Sequence, residues 1–287
     1  YLFLPIFIII GLMMYGYSPM KAGFYAILLT IAISWIRKST RMNLLSILAA
    51  LEDGIRGSLA VIAACATAGI IVGAVSLTGL GLNFSRFVID LAGGQLFPLL
   101  LLIALASIVL GMGMPTVSAY VILAVLGVPA LTDAGVNLIA AHMFVFYFGV
   151  LSGLTPPVAI TAYTTAGIAG SKPNATAFYA IRIGAGGFLI PFIFVYNPQL
   201  LLQDGSVLDI ALAVVSALFS CFIFSAAIEN YLFKEMNTVH RILLFISSFT
   251  LVVPGLLSDI AGIAIFILVY FMNKRTSTAG NATELNA

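Results

Sequence analysis

Apolar residues along this chain run together in long stretches instead of alternating with polar ones, and glycine, proline and a few charges punctuate the runs. The first run covers 2–15 and ends in a turn at Gly16-Tyr17-Ser18-Pro19. A second extends to residue 36 and stops at Arg37-Lys38. Residues 40–57 place Arg41, Glu52, Asp53 and Arg56 among leucines and isoleucines, which predicts an amphipathic helix at a membrane interface. Residues 58–77 make a third run, long enough to cross ~30 Å of hydrocarbon. Residues 79–95, with Arg86, Asp90 and a Gly-Gly pair, predict an interfacial helix followed by a loop.

Two interruptions come next. Residues 97–110 are apolar, Gly111-Met112-Gly113-Met114-Pro115-Thr116 breaks the run, and a second apolar half reaches residue 126. Halves of ~12–14 residues are short for a bilayer crossing, so the pattern predicts a re-entrant helical hairpin with a Gly/Pro tip. Residues 137–153 are apolar, then Leu154-Thr155-Pro156-Pro157 intervenes before 158–169. Two prolines remove two backbone donors and disfavour helix just before them, which predicts a helix broken in mid-membrane. Further spans are predicted over 176–195 and 208–228, and 242–271 is one long helix or two short ones, interrupted at Pro254-Gly255. The small polar tail from residue 276 predicts disorder.

Composition excludes a soluble domain. Of 287 residues 62% are hydrophobic and 8% are charged, against about 25% charged in soluble proteins. A net charge of +2 gives no reason to expect a nucleic-acid partner. Placement of the charges says more. With a hairpin that enters and leaves on one side, Arg37, Lys38, Arg41, Arg56, Lys172, Lys234 and Arg241 share one face, while Lys21 and Arg86 share the other. The basic face is then cytoplasmic, and the hairpin opens from the opposite side. Cys65 and Cys221 lie in apolar runs and suit neither a disulfide framework nor a metal site. The chain begins at Tyr1, inside an apolar run and without an initiator Met, and reads as part of a longer polypeptide.

Unpaired peptide groups are costly in lipid unless they line a cavity or face protein. Half-helix N-termini attract anions, and freed carbonyls coordinate Na⁺. Thr116, Ser118, Ser152, Thr155, Thr161, Thr164 and Thr165 add hydroxyls near the two breaks. Together these groups predict a site for a hard monovalent cation and a small anion. No carboxylate lies between Asp90 and Asp133 or between Asp133 and Asp204, so neutral oxygens hold the ion in this reading. The competing reading is ordinary kinking, since Gly and Pro are tolerated in membrane helices. His142 is expected to hydrogen-bond a neighbouring helix, with a proton or substrate role as the alternative. Snorkelling accounts for Arg182, packing for Tyr120, Tyr147 and Tyr163, and helix capping for Asp259. There is no HExxH, Walker sequence or GxSxG, and no enzyme activity is expected.

The stretches GMGMPTVSAYVILAVLGVPAL and AAHMFVFYFGVLSGLTPPVAITAYTTAGIAG resemble the large membrane (DctM-like) permease domain of tripartite ATP-independent periplasmic (TRAP) transporters. The closer similarity is to fused permeases of the branch using TAXI-type binding proteins. It runs to about Gln199 and is strongest over 110–170. The resemblance implies an all-α polytopic membrane protein built from inverted half-repeats, each with one hairpin and one broken helix, working as an elevator. Only the second half-repeat is visible, so an N-terminal part containing the small membrane domain is expected to be missing.

Expected domains are 1–200, the C-terminal half of the permease domain (scaffold helices 1–78, hairpin 97–127, broken helix 137–169, helix 176–197), then a C-terminal extension 201–275 and a tail 276–287. Carried onto this chain, the resemblance makes Gly111, Met112, Gly113, Met114, Pro115 and Thr116 the hairpin tip and Gly153, Leu154, Thr155, Pro156 and Pro157 the broken-helix turn, both contributing to an ion and substrate site. The neighbouring hydroxyls of Ser118, Ser152 and Thr161 are candidates for the same site, and His142, Tyr163 and Thr164 are alternative cavity residues beside their packing roles. Na⁺ is expected near Gly111, Thr116, Gly153 and Thr155. It would act as coupling ion, with no other cofactor. The implied function is Na⁺-coupled uptake of a small organic anion, a carboxylate or amino acid, across the bacterial or archaeal inner membrane. A periplasmic binding protein would deliver the solute. The alternative is an ion channel or a structural scaffold.

Overall fold

The computed structural model describes residues 3–37, 40–203 and 205–284. Lys38, Ser39 and Asp204 lie outside them, as do both chain ends, residues 1–2 and 285–287. Among the described residues the regular structure is helical, and the one β-type pairing is an isolated bridge between Tyr231 and Glu235. Contacts divide the chain into two units, 1–63 and 64–287.

In the first unit α1 (Leu4–Met14) and α2 (Pro19–Ser34) pack as a hairpin. Its turn needs Gly16, at φ 84°, and Ser18 caps α2 by accepting from the Lys21 amide at 3.4 Å. Helix α3 (Leu44–Thr78) starts in this unit and runs into the second. The sequence pattern predicts an interfacial helix over 40–57 and a separate span over 58–77, but the structure has one helix of 35 residues. The glycines at 54 and 57 do not stop it. A Glu52–Arg56 pair at 2.8 Å and a Ser58 hydroxyl donating to the Gly54 carbonyl at 2.6 Å bridge that stretch within the helix. At 1.5 Å per residue the helix is ~50 Å long, longer than the hydrocarbon is thick, so its charged first half need not enter lipid.

In the second unit α4 (Leu80–Leu91) packs on α6 (Thr116–Asp133), and α5 (Leu96–Gly111) packs on both. Helix α7 (Leu138–Leu151) is central: it buries Ala140, Ala141, Phe144, Val145 and Phe148 against α5, α6 and α10 (Ala185–Tyr196). Phe144 and Phe148 each meet Phe192 edge-to-face there and lie tilted against each other. Helix α8 (Ile160–Ala169) turns through Gly170, at φ 64°, into α9 (Pro173–Ile183). After a 3₁₀ turn at Pro198–Leu201, α11 (Val207–Glu229), α12 (Thr238–Val252) and α13 (Leu256–Glu284) form a bundle around Ile223, Leu244 and Val269.

Three expectations change. The hairpin arms α5 and α6 have 16 and 18 residues, not 12–14. They extend ~24 and ~27 Å, deeper than half a bilayer, because α6 continues through Pro129 to Asp133. Pro129 has no N–H to give to the Val125 carbonyl, and α4 approaches that carbonyl at Gly81, where an added Cβ would lie 3.3 Å from it. The helix predicted over 176–195 is instead two helices, α9 and α10, bent by 45° at Gly184. Helix α13 is assigned through Glu284, where the composition predicts a disordered tail; a helix already nucleated in an apolar span propagates one bond per residue.

The interrupted region at Pro254-Gly255 resolves into two helices. Among the described residues four helices (α3, α6, α11 and residues 257–274 of α13) are long and apolar enough to cross a membrane, or five with α9 and α10 taken as one span. Outer faces are apolar as well: Leu208, Leu212, Val215, Leu218 and Phe222 of α11 are all more than half exposed. An all-α polytopic membrane protein accounts for such a surface, because lipid solvates it.

Candidate functional site

Both predicted breaks are present. Helix α5 stops at Gly111, and Met112 turns the chain away in an extended conformation (φ −60°, ψ 126°). Gly113, at φ 78°, completes the tip. Helix α6 then starts after Pro115, which has no side-chain acceptor with which to cap it. The last carbonyls of a helix and the first amides of the next lack intrahelical partners, and the Met114 amide reaches only the Gly111 carbonyl, at 3.4 Å. The tip therefore offers both carbonyl oxygens and N–H groups.

The second break is more completely closed. After α7 the amides of Ser152, Gly153, Leu154 and Thr155 bond back in a tightening turn. Pro156 and Pro157 follow, joined by a cis peptide bond. Ala159 takes a left-handed conformation (φ 33°) and α8 begins. Backbone hydrogen bonds span the gap from the Ala159 amide to the Thr155 carbonyl at 3.2 Å and from the Thr161 amide to the Gly153 carbonyl at 3.1 Å.

The breaks face each other across a cavity of about 390 Å³. Gly111, Gly113, Met114, Pro115 and Thr116 line it from the hairpin. Gly149, Val150, Ser152, Gly153, Ile160 and Thr161 line it from the broken helix. The closest approach is between Gly111 and Ser152: a Cβ on Gly111 would lie 2.6 Å from the Ser152 hydroxyl and 3.3 Å from the Gly149 carbonyl. That hydroxyl is buried and donates to the Gly149 carbonyl at 2.6 Å, which leaves its lone pairs as acceptors. Among the described residues no group of His, Cys, Asp and Glu converges in metal-binding fashion. The oxygens around this cavity are neutral, from peptides and hydroxyls.

The other expected site residues lie outside this lining. Met112 makes the tip turn but does not border the cavity. Ser118 is buried, 3.8 Å from the Cys65 sulfur. Thr155 donates to the Leu151 carbonyl at 2.9 Å and Thr164 to the Ile160 carbonyl at 2.8 Å, each bonding back along its own chain. Pro156 and Pro157 shape the break. The Tyr163 hydroxyl lies 2.9 Å from both the Pro157 carbonyl and the Asn174 side-chain oxygen, joining the break to α9. His142 and Tyr120 meet at 2.9 Å, with Phe146 edge-on to the Tyr120 ring. This is the predicted interhelix bond, and it ties α7 to α6.

Three lining residues are not among those expected: Gly149, Val150 and Ile160. Gly149 had a usable signal. It precedes Ser152 by three residues, which places both on one helical face.

No curated protein and no solved structure matches this chain. Residues 1–209 match the family model described as the tripartite ATP-independent periplasmic transporter, DctM component, and the chain, with its helices of membrane-spanning length and paired helix breaks, belongs to that family: it is a membrane component of a TRAP transporter.

Proposed function

We propose that the intact protein is a Na⁺-coupled permease that takes up a small organic anion handed to it by a periplasmic binding protein, by elevator-type alternating access in the inner membrane. One observation carries this reading: two helix breaks, adjacent in sequence, face each other across one cavity whose polar lining is neutral oxygen and N–H. Freed carbonyls suit Na⁺, and uncapped helix N-termini suit a carboxylate. The Gly111 end of α5 and the Ser152–Gly153 segment would supply oxygens to the ion. The uncapped start of α6 would face the anion. Placement in the TAXI-type branch, and a preceding half-repeat with a small membrane domain, belong to the same proposal. Residues beyond 209 lie outside the family match and act as an extension of the permease.

Proteoliposomes containing the intact protein test this with its binding protein and a labelled carboxylate. An inward Na⁺ gradient is expected to drive saturable accumulation, and replacing Na⁺ by K⁺ should abolish it. Accumulation that persists without Na⁺ would reject the coupling, and large single-channel currents would favour a channel.

A further inference from the structure

The second half of the broken helix belongs to an arm. Helix α8 packs chiefly on α9, and α9 meets the rest of the unit through α11 and through the bend at Gly184. The Tyr163–Asn174 contact clasps the two helices of the arm together. Through Ile160 and Thr161 the arm forms part of the cavity wall. Beyond the bend the packing is tight: a Cβ on Gly186 of α10 would lie 2.8 Å from the Ser225 hydroxyl and 3.0 Å from the Cys221 carbonyl of α11. Gly184 thus separates a closely packed pair, α10 and α11, from the more loosely held α8 and α9.

An ion pair crosses that division. Arg182 Nη2 lies 2.9 Å from Glu229 Oε2, linking residues 47 apart in the chain. Glu229 is the last residue of α11. A carboxylate there opposes the helix dipole, so helix stability gives no reason for its sign, whereas a cation opposite it does. Arg182 stands in the last turn of α9, where the dipole favours a cation, with its guanidinium 5.8 Å from the Tyr179 ring centre. The left-handed cap at Asn230, φ 59°, fixes the backbone beside Glu229. Glu229 also lies beyond the part of the chain that matches the family.

We propose that Glu229 is a positioning residue for the cavity: through Arg182 it holds the α8–α9 arm, and so places Ile160 and Thr161 against the hairpin tip. In its functional readout the proposal rests on the transport reading above; in its structural readout it does not. The C-terminal extension is then the anchor against which the second half of the broken helix is set.

Pulsed spin-label distances in the intact protein test the latch directly. With Cys65 and Cys221 replaced by Ala, labels go on Ile168→Cys of α8 and Leu218→Cys of α11, both well exposed. Glu229→Gln should broaden the distance distribution and slow uptake roughly two- to fivefold, the range for a half-exposed ion pair. The charge swap Arg182→Glu with Glu229→Arg should restore both. An unchanged distribution in a folded Glu229→Gln protein overturns the proposal, and so does a swap no better than the single variants. Because the distance is measured without transport, a parent protein that takes up nothing would remove the transport reading and leave the latch decided.

Discussion

The region of the two breaks and the C-terminal bundle use the same small residues to opposite ends. Near the breaks, three hydroxyls turn back on their own chain: Ser152 to Gly149, Thr155 to Leu151, Thr164 to Ile160. Backbone at the breaks is left to line a hole. In the bundle, the buried hydroxyls of Ser220, Ser247 and Ser248 cross between helices. Ser220 donates to the Ser248 carbonyl at 2.9 Å while Ser248 donates to that of Ser220 at 3.0 Å. Ser247 reaches the Gly262 carbonyl at 2.6 Å. Glycine follows suit: Gly111 brings two breaks together beside a cavity, and Gly262 lets α13 press against Leu251 and Ser247 of α12. In lipid, where apolar burial does little to join helices, close approach and interhelix hydrogen bonds do that work. Whether a Gly/Ser contact joins helices or opens a site depends on the continuity of the backbone behind it.

The largest effect should come from Gly111→Ala. Its methyl would lie 2.6 Å from the Ser152 hydroxyl and 3.0 Å from that residue's Cβ, so the tip and the broken helix must separate. Overpacking of this kind costs about 1–3 kcal/mol, enough to cut uptake about tenfold or more if the spacing is needed in every turnover. Adding Ser152→Gly removes the obstructing atoms and should recover much of the loss. A Gly111→Ala protein with normal uptake would mean that the contact plays no part in transport.

Gly262→Ala makes the opposite split. Its methyl would lie 2.7 Å from Leu251 Cγ and 3.0 Å from the Ser247 carbonyl. Destabilisation of about 1–3 kcal/mol is expected again, but it should appear in thermal or SDS-driven unfolding, with uptake by the folded fraction within about twofold of the parent. If Gly262→Ala impaired transport as much as Gly111→Ala did, the bundle would be part of the transport cycle rather than its support.

The breaks were readable in the sequence because their cause is local. Prolines at 156 and 157 remove donors wherever they stand, and Gly111 to Pro115 cannot continue a helix at full strength. The lining was less readable. A soluble helix reveals its inner face by polarity, but here both faces are apolar: Leu99, Leu100 and Ile103 of α5 are buried while Leu101 and Leu105 lie exposed. Nothing in that pattern marks Val150 or Ile160 as inward. The bend at Gly184 was hidden for a related reason. A glycine within an apolar run is tolerated, and only Gly186 against Cys221 and Ser225 of α11 shows where the chain must turn. The unbroken α3 is the converse case, in which the change from a charged to a purely apolar stretch after residue 57 reads as a boundary and the helix runs straight through it.

The smallest effect bears most directly on the bundle. Ser220 and Ser248 exchange hydrogen bonds, and their hydroxyls lie 3.2 Å apart. Each is fully buried. Interhelix bonds of this kind average ~0.6 kcal/mol, so Ser220→Ala and Ser248→Ala should each lower resistance to SDS-driven unfolding by about that much. The double variant should lose less than the sum, because the two hydroxyls pack side by side and a single change already loosens the contact that both bonds share. Strict additivity would mean that each serine serves only the carbonyl opposite it. The pair would then be two independent bonds, and α11 and α12 would owe their alignment to the packing around Ile223 and Leu244.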